Sequence, residues 1–494
     1  MSARWMGQLV HRQLRPAQAG WLFCAALMLY SLPLLINNYP YIDDNARALT
    51  TSTVWGEEGR LLGNWLLSAL SATTVAPDIF PLTLFAGLLA MAWAMQRLAR
   101  RWFGRPTPMQ CAILLPLWYN PFYLQVLSYH YDCFTVSSGI ALTVWAISHR
   151  SRSLVLRWVV PGLLLGAALS THQLTLNVFL GLACVDVLAR AMRQANGKRL
   201  LKLAGRHALV AMAGCALYGI TGYQSLTRDR GGLVLGPPQE WVTRAGLIAE
   251  RLAGFLNPVS TVVFSVLALG ALVGLAVIMA RGSRRPQPGL FISLCLLAVL
   301  GASLSVGGLL LLVSDIRNNL GARALMGFSP WLVGLFLLAY VGFERLRQAL
   351  VLLLLPALWC FLAFAYAHGQ VMHAKQSLEQ FTRTLLGADL LAQPQVQASR
   401  EIVILREGNG PLFTPSCIGK AWPAMDYIFG NHYLMLPEQL TPWGFETVRL
   451  RYRYTVPELG EPLLVRPWYR IYVQGEVAYV RFTVKPAPVE CRMQ

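Results

Sequence analysis

The chain has 494 residues, of which 55% are hydrophobic and only 13% charged, and its formal net charge at pH 7 is +19. This composition excludes a soluble globular protein of such length. Apolar segments long enough to cross a bilayer instead predict a mostly α-helical, polytopic membrane protein of about eleven transmembrane helices. The predicted spans are 17–37, 79–96, 109–127, 133–148, 154–170, 173–189, 208–224, 259–280, 290–313, 325–343 and 348–367.

The positions of the basic residues predict an orientation, because Lys and Arg are retained on the cytoplasmic side of short loops. With a cytoplasmic N-terminus, the inner loops contain Arg97, Arg100, Arg101, Arg105, Arg150, Arg152, Arg157, Arg190, Arg193, Lys198, Arg199, Lys202 and Arg206. An odd number of spans then places the C-terminus outside. The positive charge is therefore a topology signal with membrane lipids as its partner, and it does not indicate nucleic-acid binding. No small-residue cleavage site follows the first apolar run, so we predict a retained helix.

The first predicted outer loop contains an acidic pair, Asp43 and Asp44, directly after the first span. A carboxylate near the bilayer surface can take a proton from a sugar hydroxyl as that hydroxyl attacks, and a neighbouring acid raises its proton affinity. The pair is therefore a candidate general base. Alternatively, Asp43 caps a following helix and Asp44 is solvated. Further along, the spacing of apolar residues from Leu61 to Leu70 predicts an amphipathic helix on the membrane.

Two more predicted outer loops contain polar and aromatic residues. In the second loop, Tyr129 could stack on a sugar while His130 and Asp132 hydrogen-bond its hydroxyls, although an interfacial aromatic belt also explains the tyrosines. In the third loop, His172 and Gln173 join two spans. A single histidine in such a place is often a packing residue.

A later outer cluster contains Asp315, Arg317 and Arg323. Arginines on the outer side run against the usual charge bias and require a partner. A lipid phosphate is suitable, because guanidinium binds phosphate oxygens bidentately. Pairing with Asp315 or with the acids of the first loop is the alternative. The sequence contains neither GxxxxGK[ST] nor GxGxxG after a strand, and we predict no nucleotide, cofactor or metal.

Beyond residue 368 the hydropathy falls, and the pattern predicts an amphipathic helix at 373–393. Short segments rich in β-branched and aromatic residues then predict strands at 401–405, 447–452, 469–473 and 477–482. We therefore predict a transmembrane domain at 1–367 and a small extracytoplasmic α+β domain at 368–494. In an oxidising compartment, Cys417 and Cys491 could form a disulfide bond there.

Several short motifs resemble the bacterial serotype-converting (O-antigen) membrane glucosyltransferases. They are Tyr41-Ile42-Asp43-Asp44 with Arg47, then Gly59-Arg60 and Trp65, Asn120-Pro121-Phe122 leading to Leu127-Ser128-Tyr129 and Tyr131-Asp132, and Gly321-Ala322-Arg323. The resemblance implies a GT-C type fold and a polyprenyl-phosphate-linked glucose donor. It also implies transfer to a lipopolysaccharide glycan on the outer (periplasmic) face of the bacterial inner membrane. His172 departs from the family pattern, in which an aromatic residue is expected before Gln173.

The sequence thus predicts a membrane glycosyltransferase that moves a sugar from a polyprenyl-phosphate donor to a cell-surface glycan acceptor. The predicted site comprises Asp43 or Asp44 as the catalytic base, Arg60, Arg317 and Arg323 for the donor phosphate, and Arg47, Tyr129, His130, Asp132, His172 and Gln173 for the substrates. A transporter or flippase for a lipid-linked glycan is the alternative, and it predicts ionisable groups near the bilayer midplane and broken helices. A non-catalytic scaffold that binds glycan through its outer C-terminal domain is a third possibility.

Overall fold

The computed structural model describes residues 10–193, 196–227, 237–313, 316–406, 416–429, 436–445, 447–451, 458–467 and 469–482. Most of this part of the chain is helical. The α-helices are α1 (Pro16–Asn37), α2 (Asp44–Thr50), α3 (Leu61–Ser71), α4 (Leu82–Phe103), α5 (Pro108–Ala112), α6 (Leu124–Ser128), α7 (Asp132–Ser148), α8 (Leu154–Leu169), α9 (Thr175–Met192), α10 (Gly197–Ile220), α11 (Pro238–Ala253), α12 (Pro258–Gly282), α13 (Pro288–Gly307), α14 (Ile316–Asn319), α15 (Phe328–Leu346), α16 (Leu354–Leu391), α17 (Pro394–Gln397), α18 (Ser416–Ala421), α19 (Pro423–Phe429) and α20 (Leu436–Leu440).

Within the described residues, eight helical segments are long and apolar enough to cross a membrane. The predicted mostly α-helical membrane protein is therefore confirmed, whereas the count of about eleven spans is not. The helices α7 and α8 have 17 and 16 residues, fewer than the roughly 20 that a bilayer requires.

The predicted span 109–127 is not one helix. It consists of α5, a 3₁₀ turn at Leu115–Leu117, and α6. Proline explains the break, because Pro116 and Pro121 lack a backbone N–H and their rings clash with a continuing α-helix. The polypeptide between them lies buried inside the bundle.

Small residues bring two of the long helices into close contact. A Cβ atom on Gly274 of α12 would lie 1.9 Å from the backbone oxygen of Leu338 in α15, and one on Gly342 would lie 2.0 Å from the oxygen of Gly270. Membrane helices pack through such small-residue surfaces because lipid supplies no hydrophobic driving force between them.

The predicted strands are confirmed to within one or two residues. The sheet contains β1 (Glu401–Arg406), β2 (Val448–Arg451), β3 (Leu464–Val465), β4 (Tyr469–Gln474) and β5 (Val477–Phe482), in the order β2-β1-β5-β4-β3. Strand β1 is parallel to both of its neighbours, and the other pairs are antiparallel. Cys491 and the side chain of Cys417 lie outside the described part of the chain, so the disulfide bond between them stays a prediction.

The long helix α16 connects the bundle to the sheet. It runs for 38 residues without interruption past residue 367, so the amphipathic helix predicted at 373–393 is the continuation of the last spanning helix. Leu386 and Leu390 pack against Ile404 and other side chains of the sheet. An ion pair fastens this contact, because Arg466 donates to both carboxylate oxygens of Asp389 at 2.6 and 2.8 Å.

Candidate active site

Two adjacent acids at the end of the loop between α1 and α2 differ in exposure. Asp43 is exposed to solvent and Asp44 is buried. Ile42 has a φ of 48°, a left-handed conformation that a β-branched side chain rarely adopts. The Asp43 side chain that follows remains 47% exposed. The next side chain, Asp44, is fully buried. A strained turn in the backbone therefore separates the two carboxylates.

Asp44 connects the loop before α2 with the loop before α7. Its Oδ2 accepts the backbone N–H of Tyr41 at 3.1 Å and that of His130 at 2.8 Å. Its Oδ1 is buried without a hydrogen-bond partner in the described part of the chain. Burial raises the pKa of Asp44 to about 7, although the charge of His130, its hydrogen bond and Arg47 act in the opposite direction. The alternative of a capping Asp43 and a solvated Asp44 is therefore wrong, since no side-chain bond from Asp43 caps α2.

Four charged side chains form a row. They are Asp43, Arg47, Asp132 and Arg323. Arg47 of α2 lies 3.8 Å from Asp43 and 3.4 Å from Asp132, the first residue of α7. Asp132 in turn lies 3.6 Å from Arg323. Arg47 is only 11% exposed whereas Arg323 is 30% exposed. Arg323 is therefore the arginine of this row that a ligand can reach most easily.

Aromatic rings support both arginines. The guanidinium of Arg47 lies over the rings of Trp55 and Tyr131, 5.1 and 5.7 Å from their centroids. That of Arg323 lies over Tyr129 at 5.2 Å. These cation–π contacts hold the charges in place. The structure thus brings together Asp43, Asp44, Arg47, Tyr129, His130, Asp132 and Arg323.

His130 has a partner that the sequence did not indicate. Its Nδ1 lies 2.7 Å from Oδ2 of Asp78, and its ring stacks on Phe80 at 4.1 Å. Burial acts to raise the pKa of Asp78, but the hydrogen bond and charge of His130 outweigh it and place that pKa below its usual value. Asp78 lies in the loop before α4, 52 residues away along the chain, and no local pattern marks it.

Three more of the predicted residues, Arg60, His172 and Gln173, lie at the edge of this cluster. Arg60 pairs with Glu58 at 3.2 Å. Gln173 donates to the backbone oxygen of Glu58 at 2.6 Å and to Tyr218 at 2.8 Å, so it holds the loop that carries Arg60. His172 is buried, and its Nδ1 accepts the N–H of Leu174 at 3.2 Å. The side chain of Arg317 lies outside the described residues.

Helix α19 of the C-terminal region contacts the site, which the sequence did not predict. Tyr41 donates its hydroxyl to the backbone oxygen of Ile428 in α19, and Gln125 donates to the same oxygen at 3.1 Å. Gln125 also accepts the backbone N–H of Arg323 at 2.7 Å. Helix α19 packs into the core of the bundle. The apolar spacing of Ala424, Met425, Ile428 and Phe429 is the one signal that could have indicated a buried helix face.

Several buried polar atoms near the row have no partner among the described residues. They are Asp44 Oδ1, His130 Nε2, Trp55 Nε1 and Tyr131 Oη. An unsatisfied buried polar group costs about 1–3 kcal/mol, so their concentration here indicates a place where substrate or water completes the hydrogen bonding. No group of three or more His, Cys, Asp or Glu side chains suited to a metal ion is found within the described ranges.

Comparison with known proteins shows that this cluster lies within the range that a family profile matches. The profile of a family described as glucosyl transferase GtrII matches residues 32–334. A Salmonella phage P22 protein, described as an uncharacterized 55.3 kDa protein in the gtrB 5′ region, is 25% identical over 158 residues. These residues cover 32% of this chain and 33% of the phage protein, so the chain matches only about a third of that relative's length. No solved structure matches the chain.

Proposed function

The chain belongs to the glucosyl transferase GtrII family, and from this premise we propose that the row of charges beside Asp43 transfers glucose from a polyprenyl-phosphate donor. The acceptor is a cell-surface glycan of the O-antigen type, and the reaction takes place at the periplasmic face of the inner membrane. The row lies within the residues that the family profile matches. The observation that carries the proposal is that the row joins an exposed carboxylate, Asp43, through Arg47 and Asp132 to a partly exposed arginine, Arg323.

Asp43 is the general base in this proposal. A base must come within hydrogen-bond reach of the acceptor hydroxyl, and of the two acids Asp43 has the exposed side chain. Asp44 is buried and clamps the backbone of Tyr41 and His130. It is therefore a positioning residue that holds α2 and the loop before α7 in fixed positions relative to each other.

Arg323 receives the donor phosphate. Its contact with Asp132 is long, at 3.6 Å, and its side chain is partly exposed, so a phosphate can bind without breaking a short ion pair. Arg47 lies between Asp43 and Asp132 and is nearly buried. We assign to it the task of holding the two carboxylates apart from each other and in place.

The bond changes follow from these roles. The acceptor hydroxyl oxygen forms a bond to the anomeric carbon of glucose, and Asp43 takes its proton. The bond between that carbon and the phosphate oxygen breaks, and the phosphate leaves with the electron pair. Arg323 stabilises the negative charge that develops on the leaving phosphate, where a fixed donor is most effective.

The proposal is tested with purified protein in liposomes that contain polyprenyl-phosphate-[¹⁴C]glucose and a soluble acceptor glycan. We expect radioactive label to become covalently attached to the acceptor. Label that crosses the bilayer while it remains on the polyprenyl phosphate would contradict the proposal and indicate a flippase. An Arg105→Gln variant serves as a control, because Arg105 is exposed at the other end of α4.

A further inference from the structure

A second charged region lies at the opposite end of the bundle. Helices α4 and α7 begin beside the active site, at Leu82 and Asp132, and end at Phe103 and Ser148. A helix of 22 residues is about 33 Å long. Next to these distal ends lies a cavity of about 990 Å³, formed also by α8, α9 and α10. The cavity is therefore separate from the active site.

Positive charge dominates this distal cavity. Eight basic side chains line it, among them Arg150, Arg190 and Arg199, whereas Asp186 is the one carboxylate among the described lining residues. Asp186 is already occupied, because both of its oxygens bind the guanidinium of Arg101, at 2.9 and 2.6 Å. Among the described residues, no carboxylate forms an ion pair with the other cations of the cavity.

Backbone oxygens hold these cations close together without neutralising them. Arg150 and Arg193 donate to the same oxygen, that of Arg101, at 3.3 and 3.2 Å. Arg206 donates to the oxygens of His149 and Arg157 at 3.2 and 3.4 Å, while its Nε is buried without a partner in the described part of the chain. Burial, followed by repulsion from Arg101 and Arg193, lowers the pKa of Arg150. The described side chains that line the cavity therefore carry a net positive charge.

We propose that this distal cavity binds the phosphate groups of a ligand with at least two negative charges, and that the ligand is an anionic membrane lipid of the cardiolipin type. Guanidinium groups bind phosphate oxygens bidentately. Basic pockets between the ends of membrane helices suit lipid headgroups with several charges.

The walls of the cavity favour a lipid over a soluble phosphate. Trp158, Leu203 and Leu209 line it together with the arginines. Beside it, Leu154 and Val155 of α8 are about two-thirds exposed, at 68% and 66%. Acyl chains can lie against this apolar surface while the phosphates occupy the cavity. Such a lipid would bridge the ends of α4, α8, α9 and α10, whose cationic side chains otherwise repel one another.

The test measures the thermal unfolding midpoint of the purified full-length chain in detergent with added cardiolipin, phosphatidylcholine or inorganic pyrophosphate. The informative variant combines Arg190→Gln with Arg199→Gln, because both side chains line the cavity and are exposed. The control variant combines Arg100→Gln with Arg105→Gln. It removes the same charge from exposed positions at the same end of the bundle that do not line the cavity.

We expect cardiolipin to raise the midpoint of the wild type and of the control by several degrees, and phosphatidylcholine to have no such effect. The gain should be lost in the Arg190→Gln, Arg199→Gln variant. An equal gain in both variants would overturn the proposal. If pyrophosphate raises the unfolding midpoint and this increase depends on Arg190 and Arg199, the proposal of a lipid ligand is wrong and the cavity binds a soluble phosphate. None of these readings depends on glucosyl transfer.

Discussion

Two buried carboxylates at opposite ends of the bundle have very different partners. At the distal end, Asp186 binds Arg101 with both oxygens and also accepts hydrogen bonds from Trp102 at 2.8 Å and His207 at 3.0 Å. At the active site, Asp44 accepts two backbone N–H groups on one oxygen and leaves the other without a partner among the described residues. Complete pairing is typical of a structural ion pair, whereas unsatisfied buried groups concentrate where a substrate is still to bind.

Arg323→Ala tests the active-site end of this comparison and should have the largest effect. We expect the transfer rate to fall by about 10²–10³, the usual cost of removing a fixed donor from a developing negative charge. Arg323→Lys should recover part of the rate, because it restores the charge without the bidentate geometry. Both rates are measured with labelled donor. A full rate for Arg323→Ala would remove Arg323 from the donor site.

Asp186→Asn tests the distal end. Removing one partner of a buried ion pair costs about 3–5 kcal/mol, so we expect a marked fall in the free energy of unfolding, measured by denaturant titration in detergent. The transfer rate per folded molecule should stay unchanged, since α4 and α7 separate Asp186 from the active site. A loss of rate without a loss of stability would show that the two ends are coupled.

The pH dependence of the free energy of unfolding should distinguish Asp44 from Asp186. Burial gives Asp44 a pKa of about 7, against 3.8 for an unperturbed carboxyl. The folded state therefore binds more protons between these values, and its stability should decline as the pH rises from about 4 to 7. Asp44→Asn should flatten this decline in a series of thermal unfolding curves. An unchanged slope in the variant would show that another group causes it.

Tyr41→Phe should have the smallest effect of the series. It removes the hydrogen bond between Tyr41 and the backbone oxygen of Ile428, worth about 1 kcal/mol, and leaves the Gln125 contact with the same oxygen. We expect a reduction of the transfer rate by less than about tenfold, with the variant still folded. Tyr427→Phe, which loses a bond to the oxygen of Leu320 in the same region, is the matched comparison.

The sequence predicted a mostly α-helical membrane protein, four of the five strands and the glucosyltransferase family, because hydropathy, the spacing of apolar residues and short motifs are local signals. It did not predict the number of spanning helices. It did not predict which of Asp43 and Asp44 is buried, since this depends on the left-handed turn at Ile42 and on His130, 86 residues beyond Asp44. Asp78 and helix α19 were missed for the same reason. Their contacts with the site are formed only by the tertiary fold.

In the proposed reaction Asp43 acts on the substrate and Asp44 positions the loops, and this division of roles is tested by comparing Asp43→Asn with Asp44→Asn. An asparagine at position 44 can still accept both backbone N–H groups, and it places its amide where the unpartnered Oδ1 lies. We measure transfer of labelled glucose at equal amounts of folded protein. We predict that Asp43→Asn loses at least about 100-fold in rate, while Asp44→Asn stays within about tenfold of the wild type. An inactive Asp44→Asn variant together with an active Asp43→Asn variant would show that Asp44, and not Asp43, is the base.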